Sequence, residues 1–278
     1  MDGEEASAPF HRAAVRLNLQ QYPIPRWLSA APIPRRGFRL ALDQFRDGFA
    51  LRYGLEAINT QSFCTCSGNP RFSIRHAMAC ESGGVRTRRH DEVRDVIAEM
   101  SSILWPNIDK NPIVREAYYT PDPDPTKPPM RIGALFADLR IRGIFGAHED
   151  VYFDFRVFDA DASSVATSDL RTILNRNEAE KLRKYRPACH SMGAKFMPFV
   201  ITAAEGIPSS QATVLLNLLA DGLASKWRTN KASLRSWLHT RLAFAVIRGS
   251  SLCIRSKRYH WNRTGLFHYD WNETRGPF

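Results

Sequence analysis

Cys64, Cys66, His76 and Cys80 stand in the pattern C-x-C-x9-H-x3-C inside the stretch Phe63–Asp91. Two close cysteines, a short loop and a His–Cys pair one helical turn apart can close a tetrahedral zinc site. His76 and Cys80 are at i and i+4, so both can reach one metal from a helix start. Three of the chain's five cysteines fall within these seventeen residues, and such clustering in a reduced compartment favours a metal over a disulfide. The alternative is three buried free thiols beside an unrelated histidine. Gly83-Gly84 and then Arg86, Arg88, Arg89 and His90 follow. These three arginines, with Lys257 farther on, are expected to contact phosphates, with binding that weakens as salt rises.

A second set of reactive side chains is acidic. Asp138 sits in an otherwise apolar-to-basic segment, and Asp154 lies between Phe153 and Phe155. A lone carboxylate in such a place carries a desolvation cost unless something pairs with it. Two of them on adjacent hairpin strands can share one divalent cation, since Mg²⁺ takes a few carboxylate oxygens plus waters. The other reading is a cross-strand pair of Asp154 with Arg140 or Arg142 on a solvated sheet face. Farther on, Glu178, Glu180, Lys181, Lys184 and Tyr185 read E-x-E-K-x-x-K-Y, with Lys181 and Tyr185 on one helix face. By itself this is the pattern of a solvated helix. The aspartates of the run Pro121–Pro129 (PDPDPTKPP) read as a solvated turn.

The elements that must position these groups follow from periodicity. Leu42–Tyr53 carries Phe45, Phe49 and Tyr53 at four-residue spacing, which predicts a helix with that stripe in the core. Asp91–Trp105 reads as an amphipathic helix stopped by Pro106. Met130–Ile141 and Val151–Phe158 read as strands joined by a hairpin turn at Gly143–Asp150. Ser168–Tyr185 is a polar helix capped by Ser168 or Asp169. Phe196–Thr202 is a short apolar strand, and Ser209–Trp227 and Ala232–Ile247 are helices with apolar faces. The order helix–strand–strand–helix–strand–helix predicts an α/β fold, a small mixed sheet flanked by helices. Before Trp27, prolines break the chain and leave only Arg12–Gln20 as a helix candidate.

With 278 residues, 44% hydrophobic and 24% charged, the chain has an ordinary globular composition. Its 39 basic and 28 acidic residues give a net charge of +11, which suits a polyanionic partner. The start MDGEEASAPF does not read as a secretory signal, and no run approaches a membrane span. Without secretion the acceptor patterns at Asn262 and Asn272 carry no meaning.

The successive blocks also carry a resemblance. C-x-C, HA-x-x-C, GG and RHDEVRD resemble the zinc knuckle after the reverse transcriptase of LINE-type retrotransposons that encode a restriction-like endonuclease. PRWLSAAPI and GFRLALDQFRDGFALRYG resemble the segment leading into that knuckle. DLRIRG, YFDFRVFDA and EKLRKY resemble the PD-(D/E)XK nuclease core, and FMPFVI, SWLHTRLAFAVIRG and SLCIRSKR its closing segments. Together the blocks cover about Trp27 to Arg258. This implies a linker and helical segment at 1–60 following a polymerase thumb, a CCHC zinc knuckle at 61–90, a restriction-like endonuclease domain at 91–258 and a tail at 259–278. No polymerase catalytic motif is present.

The resemblance implies a nuclease that hydrolyses phosphodiester bonds, nicking DNA for target-primed reverse transcription in the family. Asp138 and Asp154 become ligands of a catalytic Mg²⁺ or Mn²⁺, and Cys64, Cys66, His76 and Cys80 ligands of a structural Zn²⁺. Lys181 supplies the lysine from the helix, and Tyr185 orients it or a phosphate oxygen. Arg156, where most such nucleases have lysine, holds its proton and can steady a phosphate but not act as a base. DNA and retroelement RNA are the implied partners and the nucleus the implied compartment. Two departures stand out. Ser67 precedes Gly68 after the second cysteine, and His190-Ser191-Met192-Gly193 stands where relatives often carry a glutamate. A non-catalytic nucleic-acid-binding remnant, or an inert fragment, remains the alternative.

Overall fold

A computed structural model describes residues 27–55, 63–122, 126–160, 162 and 169–255. The expected helix at Arg12–Gln20, the cap candidate Ser168, Lys257 and the tail at 259–278 lie outside these residues. The elements run α1 (Leu42–Tyr53), α2 (Ile74–Ala79), α3 (Val85–Ser102), β1 (Ile108–Lys110), β2 (Ile113–Arg115), β3 (Tyr118–Thr120), β4 (Met130–Ile132), β5 (Leu135–Phe136), β6 (Leu139–Arg142) and β7 (Asp150–Phe158). There follow α4 (Leu170–Ser191), β8 (Lys195–Thr202), α5 (Ser210–Trp227) and α6 (Lys231–Arg255).

The central sheet has the order β1-β6-β7-β8, while β2–β5 and β3–β4 form short two-stranded pairs. β1–β6 and β6–β7 are antiparallel, and β7–β8 is parallel. The protein is therefore mixed α/β with a small mixed sheet flanked by helices. α4 is the crossover between the two parallel strands, as such a connection requires. Strand alternation sorts β7 to two faces. Val151, Phe153 and Phe155 enter the main core with Val93, Val96, Ile97 and Met100 of α3, the leucines of α5 and those of α6. Tyr152 turns the other way, into a smaller cluster with Tyr185 and Cys189 of α4 and Phe196 of β8. Phe153 is fully buried, and truncating it to alanine would cost about 3–5 kcal/mol.

Four expectations need correction. In α1 the aromatic stripe is not core: Phe45, Phe49 and Tyr53 are exposed, and Asp47, Gly48, Ala50 and Leu51 are buried. Asp47 sets that rotation, accepting hydrogen bonds from Ser251 Oγ (2.6 Å) and from Arg255 Nε and Nη2 (2.6 and 2.8 Å) of α6. Met130–Ile141 is three strands rather than one, because β4, β5 and β6 pair with different partners. α3 begins at Val85 instead of Asp91, directly after Gly83 and Gly84, both at positive φ. It runs through the boundary expected at 90–91, so one continuous helix joins the two segments. α4 continues past Tyr185 to Ser191 with Pro187 inside it. Asp169 caps its start, accepting from the N–H groups of Arg171 and Thr172 at 3.0 Å each.

Candidate metal centre and acidic site

The Cys/His cluster is built by local turns. A bridge joins Phe63 to Arg71, and Cys64 N–H donates to Pro70 O at 2.8 Å. Asn69 N–H closes the intervening turn on Cys66 O at 2.8 Å, with Asn69 in a left-handed conformation that asparagine tolerates. Ser73 then caps α2 by accepting from His76 N–H at 3.1 Å. His76 thus lies in the first turn of α2, and Cys80 directly follows its last residue. The ligand atoms of Cys64, Cys66, His76 and Cys80 all lie within 4.8 Å of one another, with Cys66 Sγ 3.6 Å from His76 Nε2. Burial pushes the Cys64 thiol up, and the Cys66 and Cys80 sulfurs add to the rise against one backbone N–H that opposes it. Three sulfurs and one imidazole nitrogen form a soft donor set that can bind a metal ion such as zinc, whose charge would favour the thiolates.

The acidic site draws on distant parts of the chain. Asp154, central in β7, is buried and forms an ion pair through Oδ2 with Lys181 Nζ of α4. The Tyr185 side chain, one helical turn after Lys181, is buried beside Asp154. Burial and then the Asp154 and Asp138 charges raise the Tyr185 pKa, so its hydroxyl keeps its proton. Asp138 immediately precedes β6. Its Oδ2 accepts from Phe155 N–H at 2.6 Å and faces His90 Nε2 of α3 at 3.0 Å. Burial raises the Asp138 pKa, but His90, the Phe155 N–H and the Lys181 charge outweigh it and leave it below the ordinary value. Lys181 and Tyr185 therefore feel both carboxylates. Among the described residues, Asp138 and Asp154 do not belong to a group of three or more close metal-ligand side chains, as the Cys/His set does.

The cross-strand alternative for Asp154 does not occur. Arg142 instead binds Asp150 through two hydrogen bonds (2.9 and 2.7 Å), and Arg140 pairs with Asp109 and Asp150. Arg156 is on the Asp154 face of β7 at the rim of the site, where it donates to Glu180 Oε2 at 2.5 Å. Glu178 is buried and has a different task. It accepts from Gln211 N–H at 2.7 Å and Ser210 Oγ at 3.3 Å, capping the start of α5. His190 and Ser191 end α4, and Met192 and Gly193, the latter at positive φ, make the exposed turn into β8.

The basic run after the cluster divides. Arg88 is exposed, as phosphate contact requires. Arg86 is exposed but donates to Glu81 Oε1 at 2.7 Å and Ala79 O at 3.4 Å. Arg89 is not a surface residue: it is only 4% exposed and donates to Met78 O and Val157 O at 3.3 and 3.1 Å. The expectation of an Arg89–phosphate contact is overturned, because an early start of α3 places Arg89 on the same buried stripe as Val85 and Val93. His90, the last residue of that run, is a member of the acidic site. Its signal was its place one turn before the buried Val93, Arg94 and Ile97 of the helix.

The fold and these two sites define a mixed α/β protein with a candidate metal centre next to α3. No protein-family model matches the chain, and a comparison with curated proteins returns no match. Among the described residues, no helix is long and apolar enough to cross a membrane.

Proposed function

We propose that this chain is a metal-dependent DNA endonuclease of the restriction-like, PD-(D/E)XK type, derived from a LINE-type retrotransposon, with a structural zinc on Cys64, Cys66, His76 and Cys80. The observation that carries the reading is Lys181 reaching from the crossover helix to the mid-strand Asp154 while Asp138 shares its electrostatic field. Cation-binding carboxylates beside a fixed positive group suit attack on a phosphodiester, where negative charge builds on the phosphoryl oxygens.

Asp138 and Asp154 would hold Mg²⁺ or Mn²⁺. A cation bound there supplies a water of lowered pKa and stabilises the charge that develops. The other roles belong to the chain's own groups. Lys181 neutralises Asp154 and offers its charge to a phosphate oxygen. Tyr185, its pKa raised by burial and by the neighbouring carboxylates, stays protonated and can donate to a phosphate oxygen. Arg156, half-exposed at the rim, is placed to hold a flanking phosphate once it leaves Glu180. Arg88 and the positive net charge favour DNA, with retroelement RNA as a second polyanion and the nucleus as the compartment.

A non-catalytic nucleic-acid-binding remnant is the second reading. It is favoured by one observation: Lys181 and His90 already neutralise the two carboxylates without a cation. Plasmid nicking separates the two. The endonuclease converts supercoiled DNA to open circles in Mg²⁺, not in EDTA, and Asp154→Asn abolishes this while DNA binding persists. A wild-type protein that binds DNA and leaves it intact with Mg²⁺ or Mn²⁺ is the remnant.

A further inference from the structure

Arg89 is a buried cation whose hydrogen bonds go to backbone carbonyls and to the Met78 sulfur. Burying a guanidinium this way is expensive, and an apolar side chain of similar volume would pack there at equal or lower cost. Its two carbonyl partners belong to different parts of the protein. Met78 lies between the ligand residues His76 and Cys80, in the last turn of α2, where helix carbonyls lack intrahelical donors. Val157 lies on β7, three residues beyond Asp154 and two beyond Phe155. The next residue along α3, His90, holds the Asp138 carboxylate, which also accepts the Phe155 N–H.

The backbone at Arg89 has little room to move. A Cβ added to Gly249 of α6 would come within 2.9 Å of Arg89 Cα and 2.8 Å of its Cγ. A glycine is therefore needed where α6 crosses the start of α3. Arg89 is clamped by α6 on one side, by the metal-ligand helix on another and by the strand of the acidic site on a third.

We propose that Arg89 is a positioning residue that couples the Cys/His metal centre to the acidic site. Metal binding fixes the end of α2, Arg89 transmits that position to Val157, and the same helical turn sets His90 against Asp138. Occupancy of the metal centre thereby regulates the geometry of the acidic site. This inference rests on the metal-centre half of the proposed function and needs neither DNA cleavage nor a bound Mg²⁺.

The Phe155 amide reports the tie, because its proton is held by the Asp138 carboxylate. In the zinc-loaded wild-type protein it should exchange slowly with solvent, and removing zinc should speed it about tenfold, while core amides of α5 stay protected. In Arg89→Met, with zinc content unchanged, Phe155 should already exchange at the faster rate and respond no further to zinc removal. Gly249→Ala, which keeps the guanidinium but displaces it, should also loosen Phe155. Arg89→Lys, which retains one cationic donor, should restore part of the protection. Unchanged Phe155 protection in zinc-loaded Arg89→Met overturns the proposal, as does an equal response to zinc removal in that variant and the wild type. If zinc removal unfolds the whole chain, the zinc-loaded variants alone decide. A protein that takes up no zinc refutes the metal centre instead, while the Arg89→Met comparison in the protein as purified still tests the tie to Phe155.

Discussion

Seventeen consecutive residues supply every ligand-type side chain of the Cys/His cluster, whereas the acidic site gathers His90, Asp138, Asp154, Lys181 and Tyr185 from two helices and a hairpin. The cluster is organised by a tight turn and one helical turn, so its ligand spacing is set within that stretch, while Ile74 and Met78 of α2 anchor it against Cys253 and Ile254 of α6. The acidic site exists only because α4 crosses over β7 and α3 lies along the opposite face. A local site is held together by what it binds. A dispersed one is held by the packing around it, so its members are exposed to every change in sheet and helix position.

The first way to break this contrast is to remove a ligand from the local site. Cys66→Ser should abolish zinc uptake and lower stability by about 4 kcal/mol or more. Accelerated hydrogen exchange across 63–91 would confirm that the loss begins there. Asp154→Ala tests the dispersed site in the same currency. It leaves the partly buried Lys181 without its partner, for a loss of about 3 kcal/mol in denaturant unfolding at neutral pH.

The His90–Asp138 pair should contribute less and in a defined pH window. For Asp138, held below its ordinary value of 3.8, the stabilisation is present above that value and lost as pH falls through the lowered one. For His90, burial disfavours the charge, but Asp138 and Asp91 outweigh it and raise the pKa above 6.5. Its stabilisation is complete below 6.5 and lost as pH rises through the raised value. The cost of His90→Ala, about 2 kcal/mol, should thus be greatest between these limits and shrink toward both acid and alkali. A cost independent of pH from 3 to 9 in urea titrations would contradict the ion pair. The smallest effect sharpens the division within α4. Glu178→Ala should cost about 1 kcal/mol through the lost α5 cap, yet leave any cleavage activity unchanged.

Much of the architecture was legible because strong local signals agree with the global fold. The alternation in Val151–Phe158 placed β7, Asp169 was one of two cap candidates for α4, and the apolar face of 209–227 placed α5 to within a residue. The spacing of Cys64, Cys66, His76 and Cys80 was sufficient to bring the four together. Where the reading failed, a long-range polar contact overrode periodicity. Asp47 reaching Arg255 turned the aromatic stripe of α1 outward, and Arg89 reaching Val157 took a supposed surface arginine inside. Nothing adjacent in the chain announces either partner. Lys181 and Tyr185 shared a helix face by spacing alone, but only the crossover over β7 shows that the face meets Asp154. His90 was hidden because the helix that aims it begins six residues earlier than the apolar pattern suggests.

Binding of Mn²⁺, followed by electron paramagnetic resonance in the zinc-loaded protein, tests the central claim most directly, namely that Asp138 and Asp154 form one divalent-cation site. One Mn²⁺ per chain should bind to the wild-type protein. That binding should be lost in both Asp138→Asn and Asp154→Asn and kept in Glu178→Gln, whose side chain serves α5 instead. Mn²⁺ binding that survives in Asp154→Asn, or is absent from the wild-type protein, would contradict the assignment.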